Sequence, residues 1–145
     1  GNISYLDETL IPFIMKTSTK ALSWTARILC ILAILFISLF ALDSFSPERT
    51  FWQNAAAFLM HLIPTFVLLA TLVVAWKWED IGGILLTIIG LALGIFVFVL
   101  NHQRPQFSIG QCIQNAIIVA SPFVLAGILF IISHFRKKRE LADVQ

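Results

Sequence analysis

The chain has 145 residues, of which 59% are hydrophobic and 12% charged, with a net charge of +2. A soluble domain is typically about 25% charged, whereas roughly 90 residues here fall in four apolar runs, each near the ~20 residues that cross a bilayer as a helix. Bare N–H and C=O groups find no partner in lipid, so these runs must be helical. No length remains for a soluble catalytic domain. The expected fold is all-α, a four-helix antiparallel transmembrane bundle forming one integral membrane domain over 1–145.

Before the first span, Ile3, Leu6, Leu10 and Phe13/Ile14 recur at helical spacing, while Asp7, Glu8 and Lys16 fall mostly elsewhere. This segment reads either as a short helix lying in the interface, with Pro12 weakening its middle, or as a frayed leader. The first span covers about 22–42. Asp43-Ser44-Phe45-Ser46-Pro47 follows it where a signal peptide would carry an Ala-x-Ala-like site. Ser46-Pro47-Glu48 supplies an N-cap, a first-position proline and a first-turn acid for the second span, 52–76. Asp80 is placed to cap the third, 81–100. So few residues separate spans two and three that they are expected as antiparallel neighbours. The main loop is 101–108, and Ser108-Ile109-Gly110-Gln111 has capping-box spacing for the fourth span, 113–135.

Four spans put both termini on one side. Lys16, Lys20, Arg27, Lys77, Arg136, Lys137, Lys138 and Arg139 fall there, against Arg49 and Arg104 opposite. This asymmetry predicts cytoplasmic termini. Trp24, Trp76 and Trp78 on one side and Trp52 on the other fit an aromatic belt. The Arg136–Arg139 cluster reads first as the topology signal and second as an attractor of anionic lipid, at about 1 kcal/mol per charge.

Each span carries a small or polar stripe at three-to-four-residue steps: Ser23, Ala26, Cys30, Ala33 and Ala41; Asn54, Ala57, His61, Thr65, Thr71 and Ala75; Gly83, Thr87, Gly90, Gly94 and Asn101; Asn115, Val119, Pro122, Ala126 and Ser133. Small residues let backbones approach where lipid supplies no hydrophobic force between helices. Gly90 and Gly94 form a GxxxG. It is either a homodimer face or a tight contact within the bundle, and four helices in one chain favour the second.

His61 follows Trp52 by nine residues, roughly 13 Å along a helix, which places it well inside the hydrocarbon. Pro64 follows and can kink that helix. A polar residue at such depth either hydrogen-bonds across the bundle or serves a proton, ligand or metal role. Asp43 ends the first span, free to pair with Arg49 or His102 or to lean toward His61 as the start of a proton path. Arg27 lies about a turn inside the first span, and Glu79 sits with Asp80 in a charged corner, so an Arg27–Glu79 ion pair is expected. Cys30 and Cys112 lie toward opposite faces and are read as free thiols. His61, His102 and His134 occupy different levels, so neither a metal nor a haem is expected, and the sequence calls for no cofactor. There is no HExxH, CxxC, phosphate-cradling glycine loop or recognisable Ser/His/Asp set, so no enzyme is expected. Beyond the short basic tail nothing points to nucleic acid.

The segments Ala26-Arg27, Phe40-Ala41-Leu42-Asp43, His61-Leu62-Ile63-Pro64 and Ala75-Trp76-Lys77-Trp78-Glu79 with Gly82-Gly83 resemble small bacterial and archaeal membrane proteins grouped as a domain of unknown function. The resemblance covers the first two spans and the start of the third. It implies the fold and brings no activity. The expected role is assembly or ligand binding within the bilayer, with membrane lipids as partners. The alternative is a small transporter or proton-linked channel with His61 and Asp43 on its path.

Overall fold

The structure, a computed structural model, describes residues 2–143, and the side chains of residues 2–9, 11, 12, 14 and 15 lie outside the described residues. Four helices follow one another: α1 (Asn2–Leu42), α2 (Phe51–Lys77), α3 (Glu79–His102) and α4 (Ile109–Ala142). All four are long and apolar enough to cross a membrane. The protein is an all-helical integral membrane protein.

One expectation fails at the start of the chain. In place of a separate interfacial helix, α1 runs unbroken for 41 residues, about 60 Å at 1.5 Å per residue and roughly twice the hydrocarbon thickness. Of the proposed interfacial stripe, only Leu10 and Phe13 have described side chains, and both are exposed. α4, at 34 residues, likewise outruns the bilayer. The two helices therefore continue together beyond the membrane at the end carrying the termini.

The helix boundaries depend on caps. Ser46-Pro47-Glu48 does not start α2; Thr50 caps it, in a capping box with Gln53. Glutamine at the third helical position completes that box, and Ser46 has no such partner. Ser46 is instead tied to the first turn of α2, where the Asn54 side chain takes its N–H and donates to its C=O, both at 3.0 Å. Ser108 and Gln111 form the capping box of α4. Asp80 does not cap α3: Trp78 is both the last cap of α2 and the first of α3, with no side-chain cap bond, and Asp80 lies in the first turn. Its negative charge there suits the positive end of the helix dipole.

One residue of linker forces α2 and α3 close, and glycine permits it. A methyl group added at Gly82 would strike the backbone of Ala75. Gly83, its neighbour, faces the other way: a methyl there would stand 2.7 Å from the Gly127 carbonyl oxygen of α4. The Gly82-Gly83 pair thus serves two different helix contacts. Further along α3, methyls at Gly90 and Gly94 would each come within 2.9 Å of the Cβ of Phe123 and Ala120. Gly127 closes on Thr87 in return. The helices form a ring in chain order, α1 beside α2 and α4, and α3 beside α2 and α4, with α3–α4 the most extensive contact.

The expected stripes point inward. Ala26, Cys30, Leu68, Ala75, Leu86, Phe123, Ala126 and Phe130 are fully buried and fill the half of the bundle nearer the termini. The other half differs. α1, α3 and α4 still bury residues there, among them Ala41, Gly94 and Cys112, but every buried residue of α2 lies between Thr65 and Ala75. Above Pro64, where the missing N–H makes a bend cheap, α2 is at most half-buried and packs more loosely on the bundle.

Glycine substitutions should separate contact from conformation. Gly82→Ala should destabilise by about 1–3 kcal/mol through overpacking. Gly110→Ala, whose new methyl meets nothing closer than 3.9 Å, should be neutral or stabilising by roughly 0.5–1 kcal/mol. Thermal unfolding in detergent reads both, and equal losses would refute the corner contact.

Candidate functional site

At the termini end the helices bring together most of the polar side chains that point inward. The first turn of α3 places Glu79, 8% exposed, between α1 and α4. Its Oε1 accepts from Ser23 Oγ at 2.6 Å and from Lys137 Nζ at 2.7 Å. Ser133, fully buried one turn before Lys137, lies on the carboxylate side without completing a hydrogen bond of its own. Further out, Thr19 Oγ1 donates to Glu140 at 2.6 Å and Arg136 Nη1 to Ser18 Oγ at 3.2 Å. Three polar links therefore staple α1 to α4, and one continues into α3.

The expected Arg27–Glu79 pair does not form, because Lys137 of α4 reaches the carboxylate instead. Arg27 packs over aromatic rings: its Cζ is 5.3 Å from the Trp24 ring centroid and 5.8 Å from that of Trp76. Its Nε is buried and has no hydrogen-bond partner. No carboxylate among the described residues pairs with this guanidinium. Lys77 packs on Trp78, 4.8 Å from the centroid. Arg27, Trp76, Lys77 and Trp78 line an open cleft of about 250 Å³, together with Glu79, Asp80, His134 and Lys137. The arrangement suits an anion at an interface: a planar cation packed against two indoles, with flexible cations around it. Among the described residues no three His, Cys, Asp or Glu side chains gather where they could hold a metal ion.

The other singled-out residues lie apart from this cleft. His61 is exposed, and its Nδ1 is 2.8 Å from the Ala57 carbonyl oxygen of its own helix. Asp43 is exposed in the turn after α1, and the Arg49 guanidinium reaches the Ser44 carbonyl at 3.4 Å rather than Asp43. Gly90 and Gly94 are covered by α4, so they present no face to a second copy. Cys30 and Cys112 are free and buried.

The sequence assigns Ser23, Trp76 and Lys137 to packing, belt or topology and raises His134 only as a metal ligand, so none of the four is expected at a site. A signal existed for one of them. Lys137 follows Ser133 by four residues and Phe130 by seven, so it continues the buried line of α4 out of the membrane.

The fold and cleft define a four-span membrane bundle with a basic, tryptophan-lined pocket at one interface. The chain belongs to the family of the domain of unknown function DUF7670, whose model matches residues 15–142. That match covers all four spans, the stapled ends of α1 and α4 included. No curated protein and no solved structure matches the chain.

The cluster predicts an unequal pair of mutants. Glu79→Ala leaves Ser23 buried without its acceptor and should cost about 2–3 kcal/mol. Lys137→Ala removes a half-exposed partner and should cost under about 1 kcal/mol. Denaturation in detergent that ranks them the other way would remove Glu79 from the centre of the cluster.

Proposed function

We propose that this protein binds an anionic, phosphate-bearing lipid headgroup in the Arg27 cleft, with both termini in the cytoplasm of a prokaryotic cell. One observation carries the reading: a guanidinium clamped by Trp24 and Trp76, its Nε buried and unpartnered, in a cleft where the neighbouring Glu79 is already committed to Ser23 and Lys137. Arginine presents a rigid fork of donors that matches phosphate, and juxtamembrane cations favour anionic leaflets. The level of the cleft supports a lipid over a freely dissolved anion, since Arg27 lies within a span while Lys77 and Lys137 stand at its end. The role is binding rather than catalysis, and what supports this is a lining of cations, indoles and carboxylates with no nucleophile set beside a base.

The orientation rests on the positive-inside asymmetry. A second reading, a small transporter, gains support from the looser packing of α2 above Pro64 alone.

Native mass spectrometry on protein extracted gently from its own membrane tests the binding. The parent should carry a reproducible phospholipid mass, and Arg27→Gln should lose it by at least ten-fold in occupancy while keeping its melting temperature. A small adduct of free phosphate would point to a soluble anion, and a bare parent would refute the reading. For orientation, a fluorescent protein fused after Gln145 should fluoresce and an alkaline phosphatase fused there should be inactive; the opposite pattern would reverse the topology.

A further inference from the structure

The loop-end half of the bundle holds polar groups that the cleft does not use. At 100° per residue, His61 lies within about 40° of Thr65, Leu68, Leu72 and Ala75 around α2. Those four are buried, so His61 points along the inward line of its helix, yet it is exposed. Asn54 and Ala57, on the same line, are half-buried. The contradiction resolves if α2 above Pro64 packs loosely on its neighbours, which agrees with its having half-buried but no buried residues there.

The opposite walls are polar at the same level. Asn101 continues the inward line of Gly90 and Gly94 on α3, and Asn115 continues that of Ala126 and Ser133 on α4. Both amides are half-buried, and neither side chain has a hydrogen bond among the described residues. Beneath them Thr65 is 8% exposed, and its hydroxyl is buried without a partner. Filling this opening with acyl chain would strand the second imidazole nitrogen of His61 and two amides in hydrocarbon. From Cys30 to Leu42, Phe51 to Thr65, Gly90 to Asn101 and Ile109 to Leu125 the sequence contains no Asp, Glu, Lys or Arg.

We propose that the opening between the loop-end half of α2 and the facing sides of α3 and α4 is a hydrated pocket that admits small, uncharged, hydrogen-bonding solutes from the loop side, with His61 and Thr65 at its floor. The lining offers donors and acceptors without net charge, which suits neutral polar molecules and gives an ion no counter-charge. The pocket is independent of the Arg27 cleft, and either can fail without the other.

Thiol labelling of the full chain in membranes tests this. Cys30 and Cys112 are fully buried, so the parent supplies a low background. His61→Cys should react with neutral hydroxyethyl methanethiosulfonate at least ten-fold faster than Leu59→Cys, which lies on the lipid-facing side of α2 and lacks the water that forms a thiolate. The anionic sulfonatoethyl reagent should show a smaller advantage at His61→Cys than the neutral one. Ala57→Cys, one turn nearer the mouth, repeats the test on a second variant that leaves the histidine intact. Parity of both variants with Leu59→Cys would mean the opening is filled by lipid. A disulfide-linked dimer through His61→Cys would mean a second copy fills it. Either result would overturn the proposal, and a larger advantage for the anionic reagent would overturn its preference for uncharged solutes.

Discussion

The backbone contact between α3 and α4 is the constraint on which the remaining geometry depends. Lipid gives helices no hydrophobic reason to associate, so close packing must hold them. Gly83 against Gly127, and Gly90 and Gly94 against Phe123 and Ala120, bring the two axes nearer than any side chain with a Cβ would allow. That approach places Lys137, at the far end of α4, beside Glu79 in the first turn of α3. Once Glu79 is taken, Arg27 on α1 pairs with no carboxylate among the described residues and rests on indole faces instead. The unpaired cation at the interface is thus a consequence of where glycines lie on two other helices, all far from Arg27 along the chain.

The same contact divides the bundle into unlike halves. Toward the termini, the fully buried set from Ala26 to Phe130 leaves no continuous polar line, and the staples Thr19–Glu140 and Ser18–Arg136 hold α1 and α4 together past the membrane. Toward the loops, α3 and α4 stay in contact as far as Gly94 while α2, at most half-buried above Pro64, packs more loosely. A bundle closed at one end and looser at the other needs only one flexible helix. α2 qualifies because its contacts are concentrated between Thr65 and the corner at Trp78.

Much of the fold could be read directly. Span number and length follow from the thickness of hydrocarbon, and the small-residue stripes named the inward faces, since Ser23, Ala26, Cys30, Ala33 and Ala41 all turn out buried. Periodicity specifies a face without saying which neighbour covers it. That is why GxxxG left dimer and bundle open, and why Glu79 was matched to Arg27 rather than to Lys137, a residue that looks no different from Lys138 until α4 is known to lie beside α3. The cap of α2 was misplaced because Ser46-Pro47-Glu48 has the local chemistry of a helix start. The competing Thr50–Gln53 box, and the Asn54 side chain that folds Ser46 back, act together only once the loop is closed. His61 illustrates the same limit: its phase was legible, but its exposure depends on where α2 bends.

The central claim is that Arg27, which has no carboxylate partner among the described residues, takes a phosphate from outside the protein. Carbon–phosphorus dipolar recoupling NMR, with arginine labelled at Cζ and the protein in bilayers containing anionic phospholipid, addresses this most directly. If Arg27 holds a headgroup, one arginine signal dephases strongly against phosphorus, and that signal vanishes in Arg27→Lys. A spectrum in which the Arg27 signal shows no phosphorus contact, while the exposed tail arginines do, would contradict the assignment and leave the indole sandwich as a purely structural device.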